Sequence, residues 1–124
     1  MILALSVAMV GGLGSVSRYL TDMAVSAKLG RSLPWGTMLV NITGSGLAGL
    51  LLGLTTYQAT SPTTSTILLI GFLGGFTTAS TIAYEAARLV QQRHLLKALW
   101  VIFGTMVVAL LAGIAGLAIG GQLT

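Results

Sequence analysis

Cysteine is absent from the 124 residues, which excludes disulfides, thiolate metal sites and thiol nucleophiles. Acid is nearly absent too: Asp22, Glu85 and one histidine, His94, are too few for a hydrolase arrangement or a side-chain metal cluster. Neither carboxylate sits at the centre of an apolar run and His94 falls in a polar stretch, so no intramembrane proton relay can be drawn. Only 6% of residues are charged, against 55% hydrophobic, with a mean hydropathy of +0.97. That balance lies outside the range of ordinary soluble domains and makes lipid the solvent. The net charge of +4 comes from six scattered cations, not from a basic stripe with interleaved aromatics, so it argues against nucleic acid.

What is present is apolar length. A spanning helix takes about 20 residues, and the chain holds a single all-α unit, 1–124, with spans expected at about 2–20, 35–57, 65–89 and 98–121. Arg18, Tyr19 and Asp22 mark the interface after the first span, and the stretch from Lys28 to Pro34 is read as a loop. Trp35 and Tyr57 bracket the second span as interface anchors, and Gln58 to Thr64 makes a turn. Gln91 to Lys97 is a polar, basic loop. The first residues have no basic region and no small-residue cleavage site, so the first span is expected to stay. No internal repeat stands out. Small residues four apart, Gly49 with Gly53 and Gly116 with Gly120, predict close helix packing and say nothing of activity.

Every Lys and Arg (Arg18, Lys28, Arg31, Arg88, Arg93, Lys97) lies in or beside the first and third connections. The positive-inside rule puts that side in the cytoplasm and both termini outside, in one fixed orientation.

Polar groups interrupt two spans. Asn41 lies about 7 Å from the middle of the second span, where its amide either ties helices together or faces a water-filled path. Gly74 and Gly75 predict a break near the centre of the third span, beside the hydroxyls of Thr77, Thr78, Ser80 and Thr81. Glu85 with Arg88, and Arg18 with Asp22, are spaced to pair along a helix face.

The stretches Gly11–Ser15 with Arg18, Pro34–Thr37 with Val40–Ser45, and Gly71–Thr81 together resemble the CrcB/Fluc family of fluoride channels. The resemblance covers most of the chain. It implies a subunit in the bacterial plasma membrane that pairs antiparallel with a second channel subunit, a homologue, and lets cytoplasmic fluoride ion leave passively, relieving toxicity. By that similarity Asn41 coordinates the anion, Ser80 and Thr81 line its path, and Arg18 draws anions to the vestibule. Gly74 and Thr77 correspond to the positions whose backbone carbonyls hold a structural sodium ion.

The resemblance also implies phenylalanines where this chain has Ala79 and Ile82, and methyl groups cannot offer a ring's electropositive edge to an anion. A fixed orientation and missing rings together lead to the expectation of a heterodimer, its oppositely oriented homologue carrying the rings. The alternatives are a non-conducting accessory subunit of such a channel, or a small multidrug-type transporter. The transporter is disfavoured because no span has an ionisable group at its centre.

Overall fold

The computed structural model describes residues 1–57 and 59–123; Gln58, in the expected turn, lies outside the described residues. Four helices long and apolar enough to cross a membrane make up the fold: α1 (Ile2–Leu29), α2 (Trp35–Thr56), α3 (Pro62–Gln91) and α4 (Leu95–Gln122).

α1 runs nine residues past the expected end of the first span, so Lys28 sits in its last turn, where a cation meets the helix dipole favourably. Gly30 then turns the chain at φ 80°, a conformation open to glycine at no steric cost. α3 opens on Ser61, whose hydroxyl accepts the Thr64 N–H at 3.2 Å, with Pro62 in the first turn. Two stretches widen into π-helical turns, Ile67–Leu73 in α3 and Trp100–Gly104 in α4.

The helices pack through glycine. A Cβ added at Gly49 would collide with the Gly113 carbonyl, and one at Gly116 with the Gly46 carbonyl. α2 and α4 therefore run parallel with backbones nearly touching, as the small-residue spacing predicted. α1 and α3 are joined the same way, Gly14 against Phe72 and Gly75 against Gly11. Two apolar clusters fill the interior. Met38, Ala86, Leu89, Ala98 and Val101 form one, and Val40, Leu73 and Phe76 the other. The outer faces of α1 and α4 carry exposed Leu, Ile, Val and Met, as expected of helices solvated by lipid.

The two basic connections meet at one end of the bundle: Arg88 Nη2 donates to the Arg31 carbonyl at 3.4 Å. Asp22 does not pair with Arg18 as the spacing suggested; it faces Arg31 at 3.6 Å. The pair Glu85 and Arg88 forms as expected.

Candidate ion pathway

The interruption in α3 falls three residues later than the glycines suggested. Gly74–Phe76 are helical, and the chain becomes extended at Thr77 (φ −82°, ψ 156°) and Thr78 (φ −152°, ψ 124°). Glycine at 75 serves close packing on α1, where a side chain would strike the Gly11 carbonyl. The break comes from hydroxyl and amide chemistry. Thr78 N-caps the second half of α3, its hydroxyl accepting the Thr81 N–H at 3.2 Å. Asn41 on α2 supplies the rest: its Oδ1 accepts the Thr78 N–H at 2.8 Å and its Nδ2 donates to the Thr78 carbonyl at 2.7 Å. One amide thus replaces the missing helical partner of the Thr78 N–H and adds a donor to its carbonyl, which as an N-cap carbonyl also accepts the first bond of the following helix.

The break takes the helical N–H partner from four carbonyls, those of Gly74, Gly75, Phe76 and Thr77, and the Gly75 carbonyl accepts from the Ser15 hydroxyl at 3.4 Å. In an unbroken helix the Thr78 N–H would bond Gly74 and the Thr81 N–H would bond Thr77. Here those donors go to Asn41 and to the Thr78 hydroxyl. Gly74 and Thr77, the two positions singled out for sodium, are among the residues whose carbonyls leave the ladder. Hard carbonyl oxygens suit a hard cation, so the residues present fit such an ion.

A cavity of about 450 Å³ opens on this segment, with Asn41, Ser45, Gly74, Thr77, Thr78 and Ala79 among its lining residues. Asn41 keeps one amide hydrogen beyond the one donated to Thr78. Ser80, exposed, lies 3.1 Å from the Thr78 hydroxyl, and Thr78 donates to Thr81 at 3.2 Å. Thr81 also lines a second, polar cavity of about 290 Å³ at the basic end, with Asp22, Arg31, Glu85 and Arg88. Arg18 joins neither group; it is half-buried on α1. Ala79 is exposed at the first cavity, whereas Ile82 packs on the apolar cluster around Leu89.

Two polar residues had escaped assignment. Ser45 donates to the Ala109 carbonyl at 2.7 Å and ties α2 to α4; its place at the end of the Val40–Ser45 stretch was the available signal. Thr105 Oγ1 is buried without a hydrogen-bond partner among the described residues, and nothing in the sequence around it marks this.

Four apolar helices, one of them interrupted partway along its length beside a cavity that Asn41 and Thr78 help to line, define an all-helical, multi-pass membrane protein. The family described as "CrcB-like protein, Camphor Resistance (CrcB)" matches residues 5–117. The "Fluoride-specific ion channel FluC 1" of Leifsonia xyli is 42% identical over 120 residues, 97% of this chain and 88% of that protein. A "Fluoride-specific ion channel FluC" of Thermus thermophilus is 42% identical over 119 residues, 96% of this chain and 94% of the relative. That of Magnetococcus marinus is 40% identical over 115 residues, 92% and 94% respectively. The chain belongs to the CrcB family, a family of ion channels and not of enzymes.

Proposed function

We propose that the chain is a subunit of a fluoride-specific channel through which cytoplasmic fluoride leaves passively, and that it works in an antiparallel heterodimer with a homologue of opposite orientation. The observation that carries this reading is the extended Thr77–Thr78 segment held by Asn41. Irregular backbone at membrane depth is tolerated only where protein or a water-filled cavity covers it, yet Gly74 is exposed and Thr77 half-exposed in the single chain. A second subunit over this face supplies the cover. Channel relatives at about 40% identity support fluoride as the ion.

In this reading the carbonyls of Gly74 and Thr77 face the partner and hold sodium. The ion, when bound, supplies a fixed positive charge at the subunit junction. The second Asn41 amide hydrogen, with Ser80 and Thr81, replaces water around a small, strongly hydrated anion. Arg18 contributes to the positive potential at the basic side. That side faces the cytoplasm and both termini lie outside.

An accessory reading rests on its own observation: Asn41 is engaged by Thr78 at both amide atoms, and Ala79 offers the cavity a methyl group where the family resemblance implies a ring. Fluoride efflux from liposomes separates the two. Efflux only when the chain is co-assembled with a phenylalanine-bearing homologue, and its loss in Asn41→Ala, supports the conducting heterodimer. Unchanged efflux in Asn41→Ala assigns the chain a scaffold role.

A further inference from the structure

The polar cavity at the basic end contains two carboxylates and two guanidiniums, and the two pairs are not equivalent. Arg31 faces Asp22 at 3.6 Å with its side chain 69% exposed, a loose, solvated contact. Arg88 grips Glu85 with both Nε (2.9 Å) and Nη2 (2.6 Å) on the same Oε2, and these side chains are only 30% and 22% exposed. The Nη2 group also reaches the Arg31 carbonyl, which fixes the guanidinium from the first connection. Glu85 stands four residues after Thr81, so both lie on one face of α3, and both line this cavity. A carboxylate there, left alone, would put an uncompensated negative charge one helical turn from a hydroxyl of the anion path.

We propose that Arg88 is a positioning residue for anion passage: it holds the Glu85 carboxylate fixed and neutralised, so that an anion entering past Thr81 meets no net negative charge. The proposal rests on the fluoride-channel reading, and Arg88 acts through Glu85 without touching the ion. Unmasking one charge in a partly desolvated cavity is worth roughly a tenfold or larger loss of anion passage.

The test is fluoride efflux from liposomes carrying the assembly that conducts, compared among the parent, Arg88→Gln and Glu85→Gln/Arg88→Gln. The single variant is expected to lose about tenfold, and more at low ionic strength, where screening is weak. The double variant should recover most of that loss, because it removes the charge that Arg88 masks. A single variant equal to the parent overturns the proposal. So does a double variant as poor as the single, which would make Arg88 a structural tie through the Arg31 carbonyl. No efflux from the parent in any assembly overturns the channel reading itself, and this proposal with it; normal parental efflux with an indifferent Arg88→Gln overturns the positioning role alone.

Discussion

At Asn41 a single side chain does what a strand would do for an extended residue, accepting the Thr78 N–H and donating to its carbonyl. Asn41→Ala strands the Thr78 N–H and takes one donor from its carbonyl, and should lower stability by on the order of 2 kcal/mol, read as thermal unfolding of the detergent-solubilised protein. Asn41→Asp keeps the acceptor but sets an unpaired carboxylate against the Thr78 carbonyl, so at neutral pH it should destabilise at least as much as Asn41→Ala. Thr105 gives the opposite sign. Its buried hydroxyl has no partner among the described residues, so Thr105→Val, nearly the same shape, should unfold at the same temperature or higher, by about 1 kcal/mol. A lower unfolding temperature would mean that this hydroxyl has a partner in the assembled protein. The position of Asn41 was readable from the sequence because an amide inside an apolar run is conspicuous. Its partner was not, since Thr78 is 37 residues away and no local pattern links the two.

The division of α3 depends on its cap. Thr78→Val removes the acceptor of the Thr81 N–H and should cost about 1 kcal/mol. Ser80→Ala, at an exposed hydroxyl beside the same break, should stay within roughly 0.5 kcal/mol. Comparing the two by thermal unfolding shows whether the cap or the general polarity maintains the interruption. The packing of α2 on α4 makes a harsher test: Gly49→Val drives a side chain into the Gly113 backbone and should cost on the order of 3 kcal/mol or abolish expression. The lengths of the apolar runs predicted four helices, and Gly74 and Gly75 a disturbed third one. The glycine pair misdirected the location of the break, because glycine permits both a kink and a close approach. Here Gly75 serves the approach to Gly11, while the threonines that follow carry the bend.

For the whole molecule, five of the six Lys and Arg lie at or near the ends of helices around the first and third connections, with Arg18 inside α1, and this asymmetry predicts a single orientation. The chain has no cysteine, so Leu3→Cys and Leu123→Cys provide clean reporters. A membrane-impermeant thiol reagent should label both from outside the cell and neither from inside. Comparable labelling from both sides would remove the fixed-orientation argument for a heterodimer. The same scale holds the least legible feature, the incomplete cover over Gly74 and Thr77, since exposure of a backbone segment exists only once the helices are assembled.

Hydropathy, the one-sided cations and the family motifs determined from sequence alone that this is a four-helix membrane protein of the CrcB family, because span length, charge asymmetry and motif spacing are local or additive properties of the chain. The tertiary structure decided where α3 breaks, which carbonyls are released, and that Asp22 answers Arg31 and not Arg18. Each of those depends on which donor reaches an acceptor first across helices, and that competition is settled only by packing.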